Sequence, residues 1–542
     1  MLPAPQSHRL VPQAQTTLVR SLKSWFYIPL SLFLGLAGCA KKQEHPPLVV
    51  ASYGSIDTID PAQATTSSAM QLIAALGDPL YGINASGQIE PRLAAAMPEL
   101  SNQGLRAVIR LRQGVHFHDG SVFNAEAMAF SLRRFIAIAK LSYVVGDRIT
   151  GVNVLGPYEL ELTLRRPFSP LAVLLSSTSL TPVSPKAYKN HQRSFLTGGF
   201  VGTGPYQLSF YSPQLQRLKP FNKYWGAKAR NNGVALVGMG SSTTLFGALN
   251  AGDVDVLLSS SLEPDQQRAL HQKATRGVLK EGVGPALEIG YLSVLSDRPP
   301  LNRLRLRKAL ALSLNRPQIS GRVSDNIRDP LYGLVPPSLP GASAGWPQQN
   351  IPAARQLLKQ EGYCGTKRLE LNLTYRSNVP TDRLFALTWQ ELLSTKLADC
   401  LQLSVTGMES TTAYKQLGDG AFQLMMLDWS GDYPDPDNYL VPLLACKRAQ
   451  GYVCKEGESA ASGSFWSAPG LQEQLIATEE ISGPGRIKAL KTVQQRAAQG
   501  VPYLPIWLVR SRAWARPPVS TPRFDGSGRL LLADLHRQGE AN

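Results

Sequence analysis

Residues 108–127 read VIRLRQGVHFHDGSVFNAEA and contain a strand pattern, a turn and a helix start in direct succession. The run 106–112 (RAVIRLR) alternates apolar and charged side chains, which is typical of a half-buried β-strand. Glycines at 114 and 120 frame a turn, and Asn124 is a suitable N-cap for a helix over 125–138. A strand followed directly by a helix indicates an α/β or α+β protein.

The same mixture continues on both sides of this stretch. Further strand patterns occur at 48–52, 160–164, 369–374 and 422–427, and apolar residues at helical spacing occur at 304–314, 351–360 and 383–397. Gly- and Pro-rich stretches such as 333–347 are typical of long surface loops, and no repeat of fixed period is present. We therefore expect several sheets with helices between the strands.

Size and charge narrow the class of protein. The chain has 542 residues, of which 43% are hydrophobic, so it is long enough for two or three domains. Its formal net charge is +17 and its pI is near 9.7, a balance that suits nucleic acid, an anionic membrane surface or an acidic ligand. The basic residues are scattered and no run of Lys and Arg alternates with aromatics, so we expect no nucleic-acid partner.

The amino terminus has the features of an export signal. Basic residues precede an apolar run at 25–37 that is too short for a permanent transmembrane helix. The run closes with Leu-Ala-Gly-Cys at 36–39, which resembles a bacterial lipobox. We predict that residues 1–38 are a lipoprotein signal peptide and that Cys39 becomes the lipidated first residue of the mature protein. The alternative is a plain membrane anchor with an incidental cysteine.

The remaining cysteines suit an oxidising compartment. Four of them follow the signal, an even number that favours disulfides over metal ligands or a reactive thiol, and no CxxC motif occurs. Short separation favours Cys446 with Cys454, which leaves Cys364 with Cys400. Four cysteines allow three connectivities, so the other two stay open.

A hydrolase motif is present in an unsuitable context. Residues 341–345 match the GxSxG nucleophile elbow around Ser343, and Asp428 and His536 follow in the chain order of an α/β-hydrolase. Prolines on both sides of Ser343 leave no room for the strand and helix that such an elbow needs. A secreted serine hydrolase is therefore the alternative from another class.

The sequence patterns that could indicate metal or phosphate sites are incomplete. His116 and His118 share one strand face, but no other His or Cys lies nearby in sequence. The acidic residues of 432–437 lack the spacing and the glycine of an EF-hand loop. The turn at 202–206 (GTGPY) has a proline where a phosphate loop needs a backbone donor. We expect no metal, no cofactor and no catalytic residue.

Taken with its neighbours, the opening stretch resembles a known family. Residues 111–127 look like the signature of the large extracellular solute-binding proteins of peptide and nickel ABC importers, often written LRxGVxFHDGxxxxAED. Further matching motifs follow the family order: Asp60-Pro61, Leu80-Tyr81, GTGPY at 202–206, GDVD at 252–255, RKALALSLNR at 307–316 and VPYLP at 501–505. The resemblance covers nearly the whole chain after the signal.

The resemblance gives the stretch 429–439 (WSGDYPDPDNY) a role. In dipeptide- and oligopeptide-binding members, a Trp followed three residues later by Asp lines the cleft, and this Asp takes the α-ammonium group of the ligand. The matching residues are Trp429 and Asp432. A carboxylate on a proline-stiffened loop accepts hydrogen bonds only and so selects a cation, while an indole excludes water. The alternative is that Asp432 caps a turn and Trp429 fills a core.

The resemblance also implies a two-lobed α/β fold of the large periplasmic-binding-protein type with an extra N-terminal subdomain. Lobe I would comprise 46–77, 200–285 and 505–542, the extra subdomain 78–199, and lobe II 286–504. The lobes would close over a di- or oligopeptide and deliver it to an ABC permease with its ATPase. We expect a monomer, lipid-anchored on the periplasmic or extracytoplasmic side of the membrane. The same fold with a nickel chelate or another small solute is the alternative, and no arginine is assigned to a ligand carboxylate.

Overall fold

The computed structural model describes residues 46–139, 145–197, 199–258 and 262–539. The predicted signal peptide at 1–38 and the lipidation site Cys39 lie outside these residues. Within them, no helix has both the length and the apolar character that crossing a bilayer requires.

The described strands are short except for two that cross the molecule. They are β1 Leu48–Tyr53, β2 Tyr81–Ile83, β3 Ile89–Pro91, β4 Glu99–Ser101, β5 Arg106–Arg110, β6 Ile149–Gly156, β7 Glu159–Leu164, β8 Tyr206–Ser212, β9 Leu215–Pro220, β10 Val234–Met239, β11 Val256–Leu258, β12 Lys280–Val294, β13 Asp329–Pro330, β14 Leu369–Arg376, β15 Leu401–Met408, β16 Leu424–Ser430, β17 Arg448–Gln450, β18 Val453–Glu456 and β19 Tyr503–Ala515.

Helices alternate with these strands along most of the chain. They are α1 Ser67–Leu76, α2 Ala125–Ile138, α3 Leu171–Leu174, α4 Pro185–Tyr188, α5 Ser242–Ala251, α6 Pro264–Thr275, α7 Leu304–Ser313, α8 Arg316–Ser324, α9 Ile351–Gln360, α10 Pro380–Lys396, α11 Ser410–Leu417, α12 Asp437–Leu444, α13 Glu458–Ala461, α14 Leu471–Glu480 and α15 Gly483–Gly500, with 3₁₀ turns at Asn102–Gly104, Thr178–Leu180, Lys189–His191 and Leu532–Asp534.

The opening stretch folds as its sequence predicts. Helix α2 has the predicted bounds, and the side chain of Asn124 caps it by accepting a hydrogen bond from the N–H of Ala127 at 3.0 Å. The preceding strand ends two residues early, because Leu111 leaves β5 to bridge Ala94. At 422–427 the strand instead runs on to Ser430, because β12 pairs with it as far as Glu288. Tertiary pairing, not local pattern, sets these ends.

One large sheet organises the described residues. Its strand order is β15-β14-β16-β12-β19-β11-β1-β10-β9-β8, and β13 adds to β19. β14 is parallel to β15 and β16, and β1 is parallel to β10 and β11. We call the β11-to-β8 side the first half of the sheet and the β15-to-β16 side the second half. Two long antiparallel strands, β12 and β19, join the halves.

Separate hydrophobic cores accompany the parts of the sheet. The core of the second half includes Trp389 and Trp507, and the core of the first half includes Val50 and Val256. A third core forms around β5, β7 and α2, and it takes in Tyr433 from the second half of the chain. Disulfides join Cys364 to Cys400 and Cys446 to Cys454, which is the pairing that sequence separation favoured. The lobe boundaries stay a prediction.

The GTGPY turn packs against the opening stretch. The carbonyl of Gly202 accepts a hydrogen bond from the N–H of His118 at 2.9 Å, and the carbonyl of Gly204 lies 3.1 Å from His118 Nε2. A Cβ on either glycine would lie 2.4 Å from backbone atoms at the end of α1. The turn therefore needs glycine for close packing, and two motifs far apart in sequence form one structural unit.

Candidate ligand-binding cleft

A cavity of about 950 Å³ lies at the carboxyl ends of the parallel strands of both halves. One wall contains residues 52–55, at the end of β1 and just after it, and residues 240–242, which follow β10. On the other wall Arg376 ends β14 and Asp428 lies near the end of β16. Trp507 of β19 forms part of the base. Ligands of open α/β sheets bind outside the carboxyl ends of the strands, and this volume is in the range of small-molecule sites.

Asp432 lines this cavity on the loop after β16. With its amide oxygen turned toward the loop, Asn438 accepts hydrogen bonds from the backbone N–H groups of Asp432 and Tyr433 at 3.2 and 3.1 Å. These bonds fix the loop and leave the Asp432 side chain directed elsewhere. Within the described part of the chain its carboxylate has no hydrogen-bond donor and no ion-pair partner, and burial raises its pKa. A partly desolvated carboxylate without a cation is poised to accept one.

The next two aspartates of the loop are structural. Arg486 forms two hydrogen bonds to Asp435, 2.9 and 2.5 Å long, so although burial acts to raise the pKa of Asp435, the net effect is to lower it. Asp437 is fully buried, and burial followed by the charge of Asp435 raises its pKa well above the ordinary value. Tyr433 donates a 2.7 Å hydrogen bond to Asp437. Both aspartates therefore hold the loop and the start of α12 in place.

Trp429 has a different position from the one the resemblance implied. It is not among the described residues that line the cavity. Its indole N–H donates a 2.7 Å hydrogen bond to the carbonyl of Asn438, and its ring packs against the core of the second half. Trp429 thus contacts the loop that carries Asp432 and is half-buried; its role toward a ligand stays a prediction.

Sequence reasoning missed an ionic cluster in the lining of the same cavity. Arg376 donates hydrogen bonds of 2.7 Å to both Asp382 and Asp428. Glu288 of β12 lies in the same cluster, where burial and then the charge of Asp428 raise its pKa to about 7. Burial raises the pKa of Asp382 to about 6 against the opposing effect of Arg376. The position of these residues at strand ends could have predicted the cluster, because the carboxyl ends of neighbouring parallel strands meet at one edge of the sheet.

The other sequence candidates are not assembled into sites. The backbone N–H of Ser343 donates a hydrogen bond to the side-chain oxygen of Gln494 on α15. Asp428 instead pairs with Arg376, and His536 contacts the carbonyl of Asp534. His116 approaches the carbonyl of Gly114, and burial lowers the pKa of His118 to about 4. Among the described residues, the one group of three metal-type side chains contains both cysteines of the 364–400 disulfide.

Comparisons with known proteins agree with this architecture. Residues 88–451 match the family model of the bacterial extracellular solute-binding proteins, family 5 (middle region). The glutathione-binding protein GsiB of Escherichia coli O1:K1 is 24% identical over 485 residues, which is 87% of this chain and 90% of that protein. The matched family consists of binding proteins, so the hydrolase alternative at Ser343 is wrong.

Two solved structures share the fold. A dipeptide-binding protein from Pseudoalteromonas sp. SM9913, in complex with Met-Leu, has a TM-score of 0.75 at 21% identity and covers 91% of this chain and 100% of its own. NikA from Brucella suis, in complex with Fe(III)-EDTA, has a TM-score of 0.79 at 20% identity with the same coverage. The predicted two-lobed periplasmic-binding-protein fold is confirmed.

Proposed function

The chain belongs to family 5 of the bacterial extracellular solute-binding proteins, and from this premise we propose that it is the lipid-anchored binding component of an ABC importer for peptides. Its cleft would close over a di- or oligopeptide and deliver it to a membrane permease driven by an ATPase. The lobes that close are those of the predicted boundaries, with β12 and β19 as the crossing strands. Binding and release involve no covalent chemistry.

The observation that carries the proposal is the carboxylate of Asp432. It faces the cavity without a cation in the described part of the chain, so an α-ammonium group of a ligand would supply the missing charge. A charge-assisted hydrogen bond of this kind contributes about 1.5 to 3 kcal/mol. The relative named for glutathione binding and the solved complex with Met-Leu support a peptide, because both ligands carry an α-ammonium group.

A metal chelate is the second candidate ligand. The solved structure of NikA with Fe(III)-EDTA supports it, since the fold similarity is as high as that of the dipeptide-binding protein. An anionic chelate would meet the uncompensated carboxylate of Asp432, which disfavours it electrostatically. At Asp432 the ammonium group of a peptide is therefore the better fit.

Anchoring and location follow from the lipobox. Lipidation of Cys39 would hold the protein on the outer side of a membrane. There it would act as a monomer and dock on its permease. Labelling cells with a fatty-acid analogue tests this step. We expect the wild type to be labelled and retained with membranes, and Cys39→Ala to lose the label; a labelled Cys39→Ala protein would contradict the assignment.

Native mass spectrometry of the full-length protein in detergent tests the ligand class. The protein is purified without added ligand and then denatured to release what it carried. We expect a set of small peptide masses with free amino termini. A single non-peptide mass or a metal complex would keep the binding fold and overturn the peptide assignment.

A further inference from the structure

The arginines that line the cavity differ in how their charges are compensated. Three of them have carboxylate partners: Arg376 pairs with Asp382 and Asp428, Arg510 with Asp329, and Arg512 with Glu281. Arg328 lies over the indole of Trp507 at 5.0 Å, and the charges of Glu288, Asp382 and Asp428 oppose its own. These four guanidinium groups are balanced by the protein itself.

Arg529 is the exception. Within the described part of the chain it has no carboxylate within ion-pair distance, and its one side-chain hydrogen bond is a long contact of 3.5 Å from Nη1 to the carbonyl of Ser67. Its Nε is buried and has no hydrogen-bond partner among the described residues. Burial lowers the pKa of Arg529, although Asp525 acts in the opposite direction. A guanidinium offers five donors in a planar fork, and among the described residues Nη2 has no hydrogen-bond acceptor while Nη1 has only the long contact to Ser67.

A tight turn holds Arg529 at the cavity. The sequence 525–529 reads DGSGR, and Asp525 Oδ1 accepts hydrogen bonds from the N–H groups of Ser527 and Arg529, each 2.9 Å long. Gly528 has φ +81°, a left-handed conformation that favours glycine. Because Oδ1 of Asp525 is committed to the turn, the turn itself fixes the backbone of Arg529 and leaves its side chain free for the cavity.

The surroundings of Arg529 favour an anion. The side chain approaches the amino end of α1, whose first turn has no acidic residue, and a helix amino terminus carries partial positive charge. The lining at residues 65–68 and 176–179 is made of neutral hydroxyl side chains. Glu263, an acidic lining residue that precedes α6, is engaged in the capping box of that helix. Arg376 and Asp432 belong instead to the second half of the sheet, at the end of β14 and after β16.

We propose that Arg529 binds a carboxylate of the ligand and that the cavity therefore selects peptides with a free carboxyl group. This inference rests on the proposed function, because it takes the ligand to be a peptide whose ammonium group pairs with Asp432. The negative charge of Asp432 and the positive charge of Arg529 would orient the peptide between these two residues. The carboxylate is either the terminal one or that of an acidic side chain.

Calorimetric titration of the full-length protein in detergent tests the proposal with three probes. Ala-Ala-Ala has a terminal carboxylate, its C-terminal amide has none, and Ala-Glu-Ala amide has only the side-chain carboxylate. We expect the wild type to bind the amide about tenfold to a hundredfold more weakly than the free acid, as for loss of one charge-assisted bond. Recovery of affinity by Ala-Glu-Ala amide would assign Arg529 to an acidic side chain, and no recovery would assign it to the terminus.

Variants connect this preference to one residue. Arg529→Gln should remove the difference between acid and amide, and Arg529→Lys should retain part of it. Arg523→Gln is the matched control, because Arg523 lies outside the cavity with 67% of its side chain exposed and pairs with Asp534. The wild-type comparison between acid and amide needs no variant, so it stands even if Arg529→Gln does not fold.

The outcomes separate two failures. Equal affinity of the wild type for all three probes, or an unchanged preference in Arg529→Gln, would overturn the role of Arg529 while peptide binding itself stands. Failure of the wild type to bind any of the three probes would overturn peptide binding and this inference together.

Discussion

Asp432 and Asp435 lie three residues apart on one loop, yet they have opposite environments. Asp435 is buried against Arg486 and its pKa is lowered, whereas Asp432 faces the cavity without a cation and its pKa is raised. A paired buried carboxylate stabilises the fold that already contains its partner. An unpaired one costs free energy until a ligand supplies the charge. The presence or absence of a protein partner therefore distinguishes the structural carboxylate of Asp435 from the ligand-binding carboxylate proposed for Asp432.

The largest expected effect is on stability, at Asp435. Asp435→Asn leaves the guanidinium of Arg486 buried without its counter-charge, so we expect the free energy of unfolding to fall by about 3 to 5 kcal/mol. Chemical denaturation followed by circular dichroism measures it, with the exposed Asp419→Asn as the control. A loss no larger than that of the control would mean that the ion pair adds nothing to stability.

Asp432→Asn should reverse this pattern. We expect the affinity for Ala-Ala-Ala to fall about tenfold to a hundredfold, while the free energy of unfolding stays the same or rises, because an uncompensated carboxylate is removed. The same denaturation assay and calorimetric titration measure both quantities. A loss of stability comparable with that of Asp435→Asn would show that Asp432 has a structural partner and would erase the distinction between the two residues.

Glu288 is a second carboxylate without full compensation, and it should make the stability of the protein depend on pH. Its folded pKa of about 7 is above the ordinary 4.5, so its contribution to stability is present below pH 4.5 and is lost as the pH rises through 7. We expect Glu288→Gln to be more stable than the wild type by about 1 kcal/mol at pH 8 and by little at pH 5. Denaturation curves at both pH values measure this; a constant difference would place the titration elsewhere.

The smallest expected effect is the pH dependence of binding. Because the pKa of Asp432 is raised, its carboxylate takes up a proton at a higher pH than an ordinary aspartate does, and the affinity for an ammonium ligand should fall as the pH is lowered. Asp432→Asn should show a flatter profile than the wild type. Identical profiles would assign the pH dependence to Glu288 or Asp382 instead.

Local sequence was sufficient for much of the fold. The cap at Asn124 and the helix α2 follow from hydrogen-bonding chemistry within a few residues, and the helix Ile351–Gln360 was predicted at its observed bounds. The resemblance carried the two-lobed arrangement, which no local pattern contains. The predicted end of β16 was wrong, because pairing with β12 extends that strand to Ser430.

The site was predicted less completely, because it depends on which side chains are left without partners. Arg376 and Asp428 belong to strands distant in sequence, and only the parallel pairing of β14 with β16 places them together. Trp429 was expected at the cleft; in the structure its indole N–H bonds to the carbonyl of Asn438, and its role toward a ligand stays a prediction. Arg529 is one of many arginines, and its lack of a carboxylate partner becomes visible only in three dimensions.

A thermodynamic cycle tests the central claim most directly. The affinities of the wild type and Asp432→Asn are measured for Ala-Ala-Ala and for N-acetyl-Ala-Ala-Ala, which lacks the ammonium charge. We predict that either single change weakens binding about tenfold to a hundredfold and that the two together cost no more than one alone. Additive losses would show that the carboxylate of Asp432 and the ligand ammonium do not interact.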